Sequence, residues 1–294
     1  MNALHNTSDN ASVIRARGLA KRYGGTTALA GIDLDIPPGR IVGLIGRNGA
    51  GKTTALKSIL GLTPFEGELS VLGMNPFSRR RELMEQISYI ADVAVLPKWM
   101  RVIDLIDLCV ACHPNFSAEA ALQSLDKTDI ALKSKVKELS KGMVTQLHLA
   151  IVMAIDARLL VLDEPTIGLD VVYRKLFYST LLNDYFDHSR TIIITTHQVE
   201  EIEHILTDVI FIERGKVVLA DTVETIAERW FEVAVQPDKQ AQARALSPVA
   251  ERQEVGQVVF LYETDSPAKL AELGDPRPPR LADLFVAKVT GGLQ

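Results

Sequence analysis

Gly46-Arg47-Asn48-Gly49-Ala50-Gly51-Lys52-Thr53-Thr54 follows directly on the apolar run Ile41-Val42-Gly43-Leu44-Ile45 and leads into a helix-forming stretch, 55–60. Its spacing, Gly, four residues, Gly-Lys-Thr, is that of a phosphate-binding loop, and the strand before it and helix after it are the setting such a loop requires. The three glycines let the backbone bend tightly and come close to a ligand. Successive N–H groups and the start of the helix then point at anionic oxygens. Lys52 adds a point charge for the β- and γ-phosphates. Thr53 offers a hydroxyl to Mg²⁺, a hard cation that takes one or two protein oxygens beside phosphate. The competing reading is a glycine-rich strand-to-helix turn that binds nothing.

On the N-terminal side, strands are expected at 13–19 and 29–36, flanking the turn-rich Lys21-Arg22-Tyr23-Gly24-Gly25, which holds the ring of Tyr23 on a loop. Pro37-Pro38-Gly39 closes that unit and delivers the chain into the strand before the glycine loop. On the C-terminal side come short β-prone pieces within 61–73 and a buried strand at 87–91. Helices are predicted at 102–112, 117–125 and, shorter, 130–137, a helical insertion riding on the sheet. Leu139-Ser140-Lys141-Gly142-Met143 then opens a long apolar helix to 155, and the strand Leu159-Leu160-Val161-Leu162 ends at Asp163-Glu164. A helix over 171–186 leads to a strand at 191–195 that runs out at His197. A helix at 199–207 and strands at 209–212 and 217–219 complete the main body.

Apolar strands separated by helices indicate an open, largely parallel sheet covered on both faces, whose ligands collect outside the carboxyl ends of the strands. Gly46, Asp163, Glu164 and His197 therefore converge on one edge. Asp163 at a strand end comes within reach of the Mg²⁺ that Thr53 binds. Glu164 is the candidate general base that orients a water for in-line attack on a γ-phosphate, and His197 places an imidazole on the same group. Taken singly, these side chains could be no more than helix or turn caps. Joined to a phosphate loop at one sheet edge, they read as a catalytic set.

The composition excludes several classes. With 294 residues, 47% of them hydrophobic, the chain builds a substantial core without staples. A net charge of −5, from 37 acidic and 32 basic residues, gives no general attraction to nucleic acid or anionic lipid, so no nucleic-acid partner is expected. The tight basic cluster Arg79-Arg80-Arg81 reads as a solvated helix face. Residues 1–12 read as a loose tail without the features of a secretory signal. No stretch reaches the roughly 18–20 uninterrupted apolar residues that cross a bilayer. Cys109-Val110-Ala111-Cys112-His113 fits a haem-attachment pattern, but the helical spacing of Val102, Ile103, Leu105, Ile106, Leu108, Cys109 and Cys112 makes both thiols core residues of a helix.

The order Tyr23, glycine loop, Leu139-Ser140-Lys141-Gly142-Met143, strand ending at Asp163-Glu164, Gly168-Leu169-Asp170, His197 closely resembles the nucleotide-binding subunits of ABC (ATP-binding cassette) transporters over about 13–220. The resemblance implies an α/β fold: a RecA-like parallel sheet core of the P-loop NTPase kind, with an antiparallel β subdomain and a helical insertion at about 97–155. A small C-terminal extension, 222–294, would follow a nucleotide-binding domain over 13–221. It further implies ATP and Mg²⁺ as ligands, Tyr23 stacked on adenine, and His197 as a switch histidine. Ser140 and Gly142 would reach the γ-phosphate held at the glycine loop of a second subunit, identical or not, in a head-to-tail dimer. A separate transmembrane permease would be the further partner, holding the chain to the cytoplasmic face of the membrane. Two positions depart from the family's pattern: Lys141 and Met143 replace the usual Gly and Gln, and Asp92 stands where the family has a metal-binding Gln. The ending Ala282-Asp283-Leu284-Phe285 resembles the tails of antibiotic-efflux subunits, which points to export. The alternative reading is a soluble ABC ATPase acting on DNA or ribosomes. Those proteins carry long coiled coils or two cassettes, and neither fits the short interval from Lys52 to Ser140.

Overall fold

The computed structural model describes residues 12–90, 96–187 and 189–290. A hairpin of β1 (Ile14–Tyr23) and β2 (Thr26–Ile36) leads to β3 (Ile41–Ile45), α1 (Lys52–Ile59), β4 (Glu66–Val71), α2 (Arg80–Met84) and β5 (Ile87–Ile90). Three helices follow, α3 (Val102–Cys112), α4 (Ala118–Leu125) and α5 (Lys141–Met153), and then β6 (Leu159–Asp163), α6 (Val171–Thr180), β7 (Thr191–Thr196), β8 (Asp208–Glu213) and β9 (Lys216–Thr222). The last segment contains α7 (Val223–Arg229), β10 (Trp230–Val235), α8 (Gln240–Ala245), β11 (Ala250–Glu254), β12 (Gln257–Glu263) and α9 (Leu281–Thr290).

The central sheet runs β5-β6-β7-β3-β8-β9, parallel throughout except for the antiparallel edge strand β9. Strands buried on both faces need apolar residues along their length, and β3 and β6 supply them up to the terminal Asp163 of β6. Their alternation sorts the residues between two cores. Val42, Leu44, Leu159 and Val161 pack with Ala55, Leu56 and Ile59 of α1 and with the separate antiparallel sheet β2-β1-β4. Ile41, Ile45, Leu160 and Leu162 pack on the opposite side with α5 and α6 through Leu149, Val152, Phe177 and Tyr178. The helical insertion encloses its own small core around Val102, Leu105, Ile106, Leu125 and Leu147.

The C-terminal segment forms a third sheet, β10-β12-β11, with a core of Val233, Val235, Phe260 and Tyr262 on one face. Trp230 and Leu261, together with Leu281, Leu284 and Ala287 of α9, join the same core as α6 and β7. Phe285 meets Phe211 of β8 edge to face, with ring centroids 5.2 Å apart. Aromatic edge contacts of this kind add about 0.5–1.5 kcal/mol beyond burial.

Four expectations are corrected. The stretch 130–137 has only a 3₁₀ turn, Val136–Glu138, and 199–207 is two 3₁₀ turns, Val199–Glu201 and Glu203–Ile205, in place of a helix. The run 171–186 leaves α geometry after Thr180 and continues as a π turn, Leu181–Tyr185. Cys109 is half-buried but Cys112 is exposed, so only the first thiol belongs to the insertion's core. Helical spacing carries Cys112 to the rim of α3's apolar stripe, one turn beyond the last residue its neighbours cover.

Candidate nucleotide site

β3 ends where its neighbours leave no room. A side chain at Gly46 would bring Cβ within 2.5 Å of the Ile212 carbonyl oxygen. At Gly51, φ of 115° lies in the left-handed region and a Cβ would sit 2.6 Å from the Ala28 oxygen, so glycine alone fits. α1 starts at the next residue with no side-chain cap. A helix start without a cap directs its first N–H groups at whatever lies in front of it. What lies there is an open cleft of about 210 Å³, lined by Arg47, Asn48, Gly49, Ala50, Gly51, Lys52, Thr53 and Thr54 on one side and by Ala28 and Glu164 on the others.

Lys52 is buried. Its Nζ donates to the Gly46 oxygen at 2.7 Å and lies 3.8 Å from Oε1 of Glu164. The other carboxylate oxygen of Glu164, Oε2, is 2.9 Å from Nδ1 of His197. An ionised carboxylate only accepts, so that contact makes Nδ1 the protonated nitrogen of the ring. Glu164 reaches both partners from a backbone at φ 50°. For a residue with a Cβ this region costs of order 1–2 kcal/mol, and here it is held by neighbours. The Glu164 N–H donates to Oγ1 of Thr195 at 3.0 Å and to the Thr195 oxygen at 3.2 Å.

Thr195 also fixes Asp163. Its hydroxyl donates to Oδ1 at 2.5 Å, while Oδ2 of this 1% exposed carboxylate is buried and has no hydrogen-bond partner among the described residues. A buried unpaired carboxylate oxygen is expensive unless a cation or donor meets it. Hard oxygens from Asp163 and Thr53 beside a phosphate loop fit the donor set of Mg²⁺.

Tyr23 and 139–143, also predicted, do not line this cleft. Tyr23 closes β1, about half exposed, with Nζ of Lys21 5.0 Å from its ring centroid. Ser140 caps α5, its Oγ accepting from the N–H of Met143 at 3.2 Å, and with Lys141 it faces solvent. Leu139, Gly142 and Met143 are half-buried, and a Cβ on Gly142 would lie 3.8 Å from the Gly168 oxygen. None of 139–143 lines the glycine-loop cleft of its own chain. Asp92 lies outside the described residues. Sequence reasoning missed Thr195, whose only signal is one hydroxyl among the three threonines, Thr191, Thr195 and Thr196, that bracket the isoleucines of β7.

Residues 29–167, from β2 to just beyond Glu164, match the family model described as ABC transporter. Along nearly the whole chain, the sequence is 33% identical to "Nod factor export ATP-binding protein I" of Burkholderia orbicola, covering 94% of this chain and 96% of that protein. The chain belongs to the ABC transporter family, as an ATP-binding subunit. An ABC relative of another kind, "Aliphatic sulfonates import ATP-binding protein SsuB 2" of Xanthomonas axonopodis pv. citri, is 33% identical over 69% of each chain. Among solved structures, an ATP-binding subunit of an ABC transporter shares the fold at a TM-score of 0.67 and 23% identity, covering 73% of this chain and 92% of its own. As a member of this family the chain is an ATPase that binds ATP and serves a transporter. Among the described residues no helix is long and apolar enough to cross a membrane.

Proposed function

We propose that the cleft at the end of β3 binds MgATP and hydrolyses it, with the phosphates on the glycine loop and Lys52 as their fixed positive charge. Thr53 and Asp163 would hold Mg²⁺, which when bound neutralises phosphate charge. Glu164 acts as general base toward the attacking water, and His197 both orients that carboxylate through Nδ1 and presents the rest of its ring to the γ-phosphate. The observation that carries this reading is the meeting of Lys52, Glu164 and His197 through one carboxylate at the wall of the glycine-loop cleft.

The reading extends to a head-to-tail pair of subunits. Ser140 and the N-terminus of α5 form a second anion-binding helix start that faces solvent, where it is open to the nucleotide of a partner. ATP then joins the pair and loss of the γ-phosphate releases it, so hydrolysis becomes movement of a membrane-spanning permease that holds the chain at the cytoplasmic face. Export is the favoured direction. The relative that matches the chain almost from end to end, C-terminal segment included, carries an export name, whereas the import relative covers only 69% of this chain.

Replacing Glu164 with Gln tests the base at constant shape. ATP affinity is expected to stay within about threefold while hydrolysis drops on the order of 100-fold or more, the range of general-base losses. An ATP-dependent dimer should accumulate on gel filtration. Undiminished turnover, or a monomer in saturating ATP, overturns the reading.

A further inference from the structure

We propose that Arg174 is a positioning residue for ATP hydrolysis: from outside the cleft it ties the loop that follows His197 to the loop that follows Glu164. The proposal rests on the roles given above to those two side chains.

Asp170 caps α6, its Oδ1 accepting from the N–H groups of Val172 at 2.9 Å and Tyr173 at 3.0 Å, and the Arg174 N–H closes the first turn onto the Asp170 oxygen at 3.0 Å. From this fixed start the Arg174 side chain turns back. Nη2 donates to the Leu169 oxygen at 3.2 Å, Nη1 donates to Oε1 of Gln198 at 3.5 Å, and the same nitrogen is ion-paired with Glu201. The side chains of Arg174 and Glu201 keep only 25% and 20% of their exposure, and Nε of the guanidinium is buried with no hydrogen-bond partner among the described residues. An arginine that tolerates an unsatisfied donor in order to hold three contacts is placed by those contacts, not by solvation.

Each contact leads back to the cleft through short turns. Leu169 N–H donates to Thr166 O at 3.1 Å and Ile167 N–H to Glu164 O at 3.3 Å. Glu201 N–H donates to Gln198 O at 3.4 Å, and Gln198 N–H to Oγ1 of Thr196, next to His197, at 2.9 Å. The 2.9 Å contact between Glu164 and His197 closes the ring on the catalytic side. A flat guanidinium fork can serve a carbonyl and a carboxylate at once, whereas a lysine ammonium cannot reproduce that spread. Losing the strut loosens the Glu164–His197 pair without touching any residue that lines the cleft.

The test is steady-state ATP hydrolysis by the full chain as a function of ATP concentration. Arg174→Ala is expected to lower kcat about tenfold, since small misplacements of catalytic groups are this costly. KM for ATP should stay within about twofold of the parent, because Arg174 touches no nucleotide-binding residue. Arg174→Lys should fall between the two, and Arg174→Ala with Glu201→Ala should lose no more than the first change alone, the signature of residues acting through one contact. A parental kcat in Arg174→Ala, a matching rise in KM, or losses that add in the double variant overturns the proposal. If Arg174→Ala fails to fold, Arg174→Lys and Glu201→Gln decide, and parental kcat in both overturns it. Glu164→Gln in the same assay separates the two readings: a stalled Glu164→Gln beside a fully active Arg174→Ala defeats the strut alone, whereas an active Glu164→Gln defeats the site.

Discussion

Asp163 and Glu232 are both carboxylates almost without solvent exposure, 1% and 3%, yet the chain treats them in opposite ways. Glu232 on β10 is met by two arginines. Nε of Arg277 donates to Oε1 at 2.7 Å, and Nη2 of Arg252 lies 3.1 Å from Oε2, an ion pair by distance though poorly aligned as a hydrogen bond. Arg252 goes on to Asp283 of α9 at 3.2 Å, so the charge is neutralised inside the chain and ties the third sheet to the last helix. Among the described residues Asp163 has one threonine hydroxyl and no further hydrogen-bond partner. Beside it, Glu164 is held at a costly φ. A buried charge that serves the fold is closed within the fold; one that the described residues leave open, next to a strained neighbour, is placed to meet a cation.

The contrast breaks most clearly at Asp163. Asp163→Asn should lower ATP hydrolysis about 100-fold, the loss expected when a preorganised electrostatic contact is removed. Its unfolding midpoint in denaturant should stay at or above the parent's, because a buried charge that no cation among the described residues meets has been removed. Glu232→Gln should do the reverse: stability lower by about 1–2 kcal/mol, with the Arg277 side chain 62% exposed and therefore screened, and hydrolysis within about twofold of the parent. Equal stability losses at the two positions, with hydrolysis kept in both, would erase the distinction.

Thr195→Val sharpens it by exchanging one hydroxyl in the middle of the site for a methyl group. The β-branched shape is retained in β7, but Asp163 loses its donor and Glu164 N–H keeps only the Thr195 carbonyl. Hydrolysis should fall about tenfold and stability by about 1.5–3 kcal/mol, the range for a hydrogen bond to a charged group. Steady-state kinetics and denaturant unfolding measure the two separately, and a parental rate would show that Asp163 needs no orientation.

How much of this was legible in the sequence follows from the range of each interaction. The glycine loop declares itself because one short segment carries strand, turn, lysine and helix start together, and the strands declare the sheet because two-sided burial leaves β3 and β6 apolar up to the terminal Asp163. The third sheet was less visible. β11 reads Ala-Glu-Arg-Gln-Glu; Arg252 pairs with Glu254 in the same strand, but its bonds to Glu232 and Asp283, which join the strand to β10 and α9, come from far along the chain. The switch to 3₁₀ turns over 199–205 was hidden for a similar reason: Val199, Ile202 and Ile205 recur at helical spacing, but they are drawn into the core shared with α9, and Glu203 accepts from the Leu281 N–H at 3.2 Å. At the site, residue types could be read in advance. The hydroxyl of Thr195 and the fork of Arg174 could not, since their partners lie on other elements.

The smallest expected effect lies at Tyr178, which supports the loop after Glu164 from α6. Its ring packs beside Phe177 at 5.0 Å, and its hydroxyl lies 3.3 Å from Oγ1 of Thr166, itself nearly buried. Burial, working against the hydrogen bond with Thr166, pushes the phenol up to about 12 from an ordinary 10.0. Tyr178→Phe keeps the ring and strands one hydroxyl, so stability should drop by about 1 kcal/mol while hydrolysis changes less than about threefold. The pH dependence separates this from a loss of packing. Below pH 10 the phenol is protonated in both folded and unfolded chains, and the stability gap between parent and variant should be flat. Between about 10 and 12 the unfolded tyrosine releases its proton while the folded one keeps it, so the parent loses stability that the phenylalanine variant retains, and the gap closes. Denaturant unfolding at pH 8 and again near pH 10.5 measures both ends. A gap that stays constant through that interval would mean that the hydroxyl is not held in the environment its burial implies.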